Sequence, residues 1–154
     1  SVVEMMNAGL TLDEIIHTAP LPEGTLALPY LRPFYDEPEF VVRNIWRLYG
    51  GWWDGAASRL KPSPDHELAA TITELAGGVG PLLERARVAV EDGDLRLACH
   101  LVDIAAWAAG DDPGVHRERA AVYRTRRRAE SSLMAKGIFA AAARESEALL
   151  PPED

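Results

Sequence analysis

The chain has 154 residues, 47% hydrophobic and 26% charged, which suits one globular domain with a sizeable core. A net charge of −8 argues against nonspecific binding to nucleic acid or to an anionic membrane surface. No apolar run approaches the roughly 20 residues that a membrane-spanning helix needs. Cys99 is the only cysteine, so an internal disulfide is impossible and a reducing, cytoplasmic compartment is favoured.

The first twenty residues predict two short helices. Residues 2–8 have the composition of the last turns of a helix, which we expect to begin further upstream and to stop at Gly9. Residues 11–14, with the sequence TLDE, form a capping box. This box predicts a second helix over about 12–18.

Most aromatic side chains lie in residues 29–55. This stretch holds eight of the eleven aromatic residues: Tyr30, Phe34, Tyr35, Phe40, Trp46, Tyr49, Trp52 and Trp53. Five prolines between residues 20 and 38 predict irregular chain, with one helical turn at 23–27. Because large rings bury the most apolar area per residue, we expect a packing centre, a partner-facing anchor or a wall of a pocket here.

A helix is predicted to start at Pro38 and to end at Gly50-Gly51. Apolar residues recur in it at helical spacing and predict an inward face: Val41, Ile45, Leu48, Tyr49 and Trp52. Three further side chains widen that face: Val42, Trp46 and Trp53. We therefore expect this helix to be covered on more than one side.

Five more helices follow in the pattern, and Ser63-Pro64 is expected to cap the first of them. They are predicted over about 63–78, 81–92, 95–109, 113–130 and 131–147. No strand pattern is present, so the predicted fold class is all-α, a multi-helix bundle of seven or eight helices. Pro151-Pro152 ends the ordered chain and leaves 151–154 as a tail.

Residues 82–130 resemble a tetratricopeptide-type helical hairpin. They combine a Gly93-Asp94 turn, a small residue, Ala98, at the close crossing, and Asp112-Pro113 opening the next helix. Only about one and a half repeats are present, whereas a free-standing solenoid usually needs at least three. The segment therefore predicts a tetratricopeptide-like hairpin inside a larger bundle.

The polar residues of the helix over 95–109 form one stripe that we expect to reach water: Arg96, His100 and Asp103. The arginines of the next helix form either an anion-binding or partner surface or a solvated face balanced by acidic neighbours: Arg117, Arg119, Arg124, Arg126, Arg127 and Arg128. We favour the solvated face, because the chain is acidic overall.

No catalytic constellation is visible in the sequence. The four histidines lack metal-ligand spacing: His17, His66, His100 and His116. Cys99 neighbours His100, but adjacent side chains diverge on a helix, which favours a buried thiol over a nucleophilic pair. The patterns of a nucleophile elbow, a P-loop and a dinucleotide fingerprint are absent. We therefore predict no catalytic residue and no metal or other cofactor in this chain, and an interaction or accessory role.

Several separated motifs resemble the alkyl sulfatase family of the metallo-β-lactamase superfamily. They are MNAGLT at residues 6–11, YLRPFYDEPEFVVRNIWRLYGGWWDG, LKPSPDHELA, GDLRLACHLVDIAAWA and RRRAESSLMAKGIFAAAARES, in this order. The resemblance is to the helical dimerisation domain that follows the zinc-binding catalytic domain. It implies a single α-helical dimerisation domain over residues 1–150 and an upstream catalytic domain in a longer protein.

The resemblance also implies a function for that longer protein, the zinc-dependent hydrolysis of sulfuric esters of alkyl chains. Two zinc ions would activate water in the catalytic domain, whose HxHxDH run is missing here. The helical domain would form a homodimer and help enclose the substrate pocket, with no nucleic acid or membrane as partner. Tyr49 and Tyr35 would face the pocket, although a core tyrosine with a satisfied hydroxyl is an equal alternative. The dimer or domain interface would use the other rings of the stretch: Phe34, Phe40, Trp46, Trp52 and Trp53.

Two departures from the family pattern concern this same stretch. Ala56-Ala57 replaces the usual Asn-Pro, so the loop that follows is expected to differ. Some relatives carry Ser-His-Asn at residues 39–41, and Phe40 cannot replace that histidine. If that histidine serves substrate binding, the metallo-β-lactamase assignment is firmer than the alkyl sulfatase activity.

Two other functions fit the sequence without that resemblance. A free-standing tetratricopeptide-like adaptor would bind a peptide in a helical groove and would be a monomer. A small-molecule pocket between helices, lined by the cluster from Trp46 to Trp53, is the third possibility. The oligomeric state distinguishes the adaptor from a symmetric dimer with a large apolar interface.

Overall fold

The computed structural model describes residues 1–20 and 24–152, and every regular element in this part of the chain is a helix. The eight α-helices are α1 (Val2–Asn7), α2 (Leu12–Thr18), α3 (Pro38–Gly50), α4 (Asp65–Leu75), α5 (Val79–Glu91), α6 (Leu95–Ala108), α7 (Pro113–Ala129) and α8 (Leu133–Glu147). Two short 3₁₀ helices cover Thr25–Ala27 and Ala57–Arg59. The predicted all-α class is confirmed.

The chain divides into two compact units. The first unit comprises Ser1–Pro62 and Ser131–Met134, and the second comprises Ser63–Glu130 and the residues from Ala135 onward. This division concerns packing, so one dimerisation domain over residues 1–150 stays a prediction.

In the first unit, N-capping residues and a glycine set the ends of α1 and α2. Ser1 is the N-cap of α1, and Gly9, with φ of +86°, follows its end as predicted. The predicted capping box is present: the Thr11 N–H donates to Glu14 Oε2 at 2.7 Å and the Glu14 N–H donates to Thr11 Oγ1 at 3.3 Å. These two bonds satisfy amides that lack an acceptor within the helix, so α2 has the predicted span.

The proline-rich segment contains the predicted helical turn as the 3₁₀ helix Thr25–Ala27. The first residue of that predicted turn, Glu23, lies outside the described residues, and so does Pro22.

Helix α3 packs against α1 and α2 through only one part of the predicted inward face. Its bounds are as predicted, but its buried residue is Val42, and Ile45 and Trp46 are half-buried. The predicted inward face is mostly exposed: Val41, Leu48, Tyr49 and Trp52. The expected cover on more than one side was therefore wrong, because α1 and α2 have only six and seven residues and cover only one side of α3.

The second unit is centred on the α5–α6 hairpin. Gly93, with φ of +78°, makes the turn, and the Asp94 carboxylate accepts from the Leu97 N–H at 3.1 Å at the start of α6. Small buried residues let the helices approach closely: Ala86, Ala89 and Ala98. A helical hairpin is therefore present in 79–108, and its tetratricopeptide-like character stays a prediction.

Two helix starts in the second unit differ from the prediction. Pro64 is at the N-cap position of α4, and no side chain caps this helix, so the expected cap by Ser63 was wrong. Helix α5 begins at Val79, two residues before Pro81. Proline is tolerated there because amides of the first turn have no acceptor within the helix.

Two polar predictions are corrected in the second unit. Asp103 was expected to reach water, but its carboxylate accepts from Arg119 Nε and from the Tyr123 hydroxyl, both at 2.7 Å. The Arg119 side chain is only 13% exposed instead of solvated, and its Nη1 donates to Ala142 O at 2.9 Å and to Ser146 Oγ at 3.0 Å. Arg124 fits the predicted solvated face, since it is exposed and paired with Glu147 at 2.6 Å.

Candidate interaction surface

Large apolar side chains are exposed mainly in the first unit. We call the following set the aromatic surface: Tyr30, Phe34, Tyr35, Leu48, Tyr49 and Trp52. Tyr30 is 79% exposed and Trp52 is 75% exposed. A single exposed Trp or Tyr is common, whereas a contiguous exposed apolar patch is typical of an interaction site. The six side chains of this set all lie between residues 30 and 52.

The backbone that carries Phe34 and Tyr35 is fixed by the start of α8. The Leu133 N–H donates to Phe34 O at 2.7 Å, and the Met134 N–H donates to Tyr35 O at 3.4 Å. The Ser132 hydroxyl also donates to Tyr35 O at 2.7 Å. Because the backbone carbonyls of Phe34 and Tyr35 accept these hydrogen bonds, the two exposed rings lie on an ordered segment, which we call the arm.

The turn after α3 is fixed by its tryptophans. Gly51 has φ of +85°, a conformation that glycine adopts without strain, and it redirects the chain after the helix. Trp46 Nε1 donates to Trp53 O at 2.9 Å, and Trp53 Nε1 donates to Ala56 O at 2.9 Å. Because both indole N–H groups bind the turn, Trp46 and Trp53 hold it in place while the Trp52 ring is left exposed.

Asp54 joins this turn to α2 and to the following loop. Its carbonyl accepts from the Leu12 N–H at 3.1 Å, and its carboxylate accepts from the Ala56 N–H at 3.0 Å and pairs with Arg59. The Ala56 amide and the Arg59 guanidinium lower the pKa of this carboxyl. The loop with Ala56-Ala57 thus closes through an Asp side chain and the 3₁₀ helix Ala57–Arg59.

The predicted site residues fall into two groups by exposure. Tyr49, Tyr35, Phe34, Trp52 and Trp53 are exposed, and Phe40 and Trp46 are half-buried. Exposure is what a pocket-facing or partner-facing role requires, and the roles themselves stay predictions. Sequence reasoning did not connect residues 131–134 with the arm, because no local pattern marks a contact between segments 97 positions apart.

The described residues offer no metal site and no helix suited to a membrane. Across 1–20 and 24–152, no group of three or more His, Cys, Asp or Glu side chains could hold a metal ion. The helices in the same ranges are too short or too polar to cross a bilayer.

A family model described as alkyl sulfatase dimerisation matches residues 11–148. The chain belongs to the alkyl sulfatase dimerisation family. It is 36% identical over 111 residues to a linear primary-alkylsulfatase from a Pseudomonas strain, a match that covers 71% of this chain and 21% of that protein. It is 34% identical over 100 residues to an (R)-specific secondary-alkylsulfatase from Pseudomonas, covering 64% of this chain and 15% of that protein.

The fold of this dimerisation-family chain matches solved alkylsulfatase structures. The stereoselective inverting sec-alkylsulfatase Pisa1 from Pseudomonas superimposes with a TM-score of 0.86 at 25% identity, over 99% of this chain and 24% of that one. A double mutant of the same sec-alkylsulfatase superimposes with a TM-score of 0.86 at 26% identity. The chain thus spans about a quarter of these solved chains and no more than about a fifth of the two curated relatives.

Proposed function

We propose that this chain is the non-catalytic dimerisation and pocket-lining part of an alkyl sulfatase-like, zinc-dependent sulfuric ester hydrolase of the metallo-β-lactamase superfamily. The observation that carries the proposal is the aromatic surface, with several exposed rings on a hydrogen-bonded backbone, in a chain of a dimerisation family. The occupant that we assign to most of this surface is a second copy of the chain.

The size of the aromatic surface supports this occupant. An aromatic side chain buries roughly 150–250 Å² when it is covered, so the three rings outside the assigned pocket, Tyr30, Phe34 and Trp52, offer on the order of 400 Å². A stable interface buries about 800 Å² on each partner. These rings would supply about half of each partner's share, as the apolar core of an isologous interface with a polar rim.

Tyr49 and Tyr35 are assigned to the substrate pocket of the complete enzyme. Both are exposed, so each hydroxyl is free of the core and can be offered to a sulfate oxygen as a hydrogen-bond donor. The described residues do not fit a zinc ion, so both zinc ions that activate water would be held by the upstream catalytic domain. This chain would bind and orient the ester and shield it from water.

Sedimentation equilibrium of the purified chain tests the dimer. The wild-type chain should be a dimer, and Trp52→Ala should weaken association at least about tenfold, because central aromatic anchors dominate interface energies. Leu75→Ala is the matched control, since Leu75 is 83% exposed in the second unit and should leave association unchanged. A monomer at all concentrations would favour the peptide-binding adaptor and reject the dimer.

The pocket assignment is tested in the longer polypeptide that includes the catalytic domain. Tyr49→Phe should lower kcat/KM for an alkyl sulfate about tenfold, because one hydrogen bond to a charged group is lost. Tyr30→Phe removes another exposed hydroxyl outside the assigned pocket and should leave kcat/KM unchanged. Equal effects of the two variants, or none, would remove Tyr49 from the pocket.

A further inference from the structure

We propose that Ser132 and the first turn of α8 are positioning residues that hold the Phe34–Tyr35 arm in its binding-ready conformation. We call Ser132, Leu133 and Met134 the clamp. This inference rests on the proposed function for its consequence, association, but its structural part can be tested without it. The clamp lies in the first unit together with the arm, although the 63–130 segment separates the two in sequence.

Three hydrogen bonds join the clamp to the arm, and all three have backbone carbonyls of the arm as acceptors. They are the bonds from the Leu133 amide to Phe34 O, from the Met134 amide to Tyr35 O and from the Ser132 hydroxyl to Tyr35 O. Backbone acceptors leave both side chains of the arm free. The clamp can therefore fix the arm without covering the rings that the arm presents.

The arm and the helix complete each other. The first amides of any α-helix have no acceptor within the helix, and those of Leu133 and Met134 find theirs in the arm. The arm carbonyls in turn find donors without a strand or helix of their own. Ser132 is fully buried, so water could not easily replace its hydroxyl as a donor to the Tyr35 carbonyl.

An ordered arm binds better than a loose one. Binding has an entropic cost for every loop and side chain that becomes immobile, and a conformation fixed beforehand avoids much of this cost. Phe34 and Tyr35 would otherwise lie on irregular chain between two prolines. Residues 132–134 thus have a role in association in our proposal, although none of their side chains is placed in the interface.

Two matched pairs of variants test the clamp. Leu133→Pro removes the amide that donates to Phe34 O, while proline suits the first position of a helix, as Pro113 shows in α7. Leu133→Ala keeps the amide and removes only the side chain. Ser132→Ala removes the hydroxyl, and Ser131→Ala changes the exposed neighbouring serine.

Amide hydrogen exchange is the first readout, because it reports local order in a monomer or a dimer. Leu133→Pro and Ser132→Ala should each speed exchange about fivefold at the Met134, Leu31 and Phe34 amides, because each variant removes one hydrogen bond between the clamp and the arm. Leu133→Ala and Ser131→Ala should leave these amides unchanged. Unchanged exchange in both clamp variants, or acceleration spread equally over α1 to α3, would overturn the proposal.

The dissociation constant is the second readout. Leu133→Pro and Ser132→Ala should each raise the dissociation constant about fivefold. Ser132→Val should raise it as well, whereas Ser132→Thr, whose side chain is similar in size to valine, keeps a hydroxyl and should associate more tightly than Ser132→Val. Faster amide exchange in the arm together with an unchanged dissociation constant would overturn the positioning role. A chain that never associates would reject the proposed function, and the exchange data would still decide whether the clamp orders the arm.

Discussion

Among single residues, Asp103 joins α6 to α7 in the second unit. Its carboxylate pairs with Arg119, and the two side chains have exposed fractions of only 18% and 13%. The Tyr123 hydroxyl donates to the other oxygen at 2.7 Å, and Arg119 lies over the Tyr123 ring at 5.0 Å from its centre. Burial, followed by the contact with Asp103, raises the pKa of the Tyr123 phenol. Tyr123 therefore stays protonated and remains a donor.

His116 extends this polar group to the end of α6. Its Nε2 donates to Gly110 O at 2.7 Å, and its Nδ1 lies 3.2 Å from Ser146 Oγ, which also accepts from Arg119. A buried histidine with both ring nitrogens engaged is part of the packing of α7 on α8. It needs no bound metal to explain it.

Asp103→Asn tests the weight of this group. The variant should lower the free energy of unfolding by about 2–3 kcal/mol, because Arg119 is left as a nearly buried charge without its partner. Urea unfolding followed by helical circular dichroism measures the loss. Glu84→Gln is the control, since the exposed Arg87–Glu84 pair at 3.1 Å should be worth less than about 1 kcal/mol. Equal losses in the two variants would contradict the assignment.

Cys99 should be a slow thiol. Burial raises its pKa to about 11, so only about 0.1% of it is thiolate at pH 8. Its reaction with a disulfide reagent at pH 8 should be at least about 50-fold slower in the folded chain than in urea, and should speed up about tenfold per pH unit up to pH 10. A rate at pH 8 equal to that in urea would contradict burial and revive a reactive-cysteine role.

At the scale of elements, α3 is the helix whose sides differ most clearly in exposure. One side, with Val42, packs on α1 and α2 and fixes the first unit. Another side carries Val41 and Leu48, which are seven residues apart and form an exposed apolar stripe. Tyr49 follows Val42 by seven residues on the packed side, but it is exposed near the end of the helix. A helix with apolar residues on both sides is typical of one that is covered by a partner as well as by its own chain.

Two neighbouring valines distinguish the packed side of α3 from the exposed side. Val42 is 7% exposed, so Val42→Ala should lower the free energy of unfolding by about 1–3 kcal/mol through lost burial and a cavity. Val41 is 48% exposed, so Val41→Ala should change it by less than about 0.5 kcal/mol. Urea unfolding at a protein concentration below the dissociation constant gives both values.

Sedimentation of the same two variants completes this test. Val41→Ala should weaken association, and Val42→Ala should change association only as far as it unfolds α3. The opposite ranking in unfolding free energy would mean that the exposed stripe faces inward in solution.

For the whole molecule, burial is uneven between the two units. Both clusters of buried apolar residues lie in the second unit. Among the described residues of the first unit, Ile15 and Val42 are the buried apolar side chains. Because hydrophobic burial is the main stabilising contribution to folding, the first unit depends more on caps, on backbone hydrogen bonds and, in our proposal, on a partner.

This difference predicts an exchange pattern. Amides of α1 to α3 should exchange faster than those of α5 to α7 at low protein concentration. Raising the concentration above the dissociation constant should slow exchange in α3 and the arm while α5 to α7 stay the same. Mass-spectrometric hydrogen exchange at two concentrations measures this. Concentration-independent exchange in α3 would contradict dimerisation through the aromatic surface.

The sequence by itself determined the elements of this protein. Helix bounds follow from contacts within a few residues, such as the TLDE capping box, Pro38 at a helix start and the Gly93 turn, so they were predicted closely. The motifs between residues 6 and 146 likewise identified the family. Eight aromatic residues in one stretch located the candidate surface before its geometry was known.

The tertiary structure alone decided which way side chains face and which distant residues they meet. Apolar spacing on α3 could not tell the covered side from the open one, because that depends on how short α1 and α2 are. Asp103 was expected to reach water, but it accepts hydrogen bonds from Arg119 and Tyr123, which lie 16 and 20 residues away in sequence. The bond from Ser132 to Tyr35 spans 97 residues. Such contacts depend on the packing of the whole chain, and no local pattern specifies them.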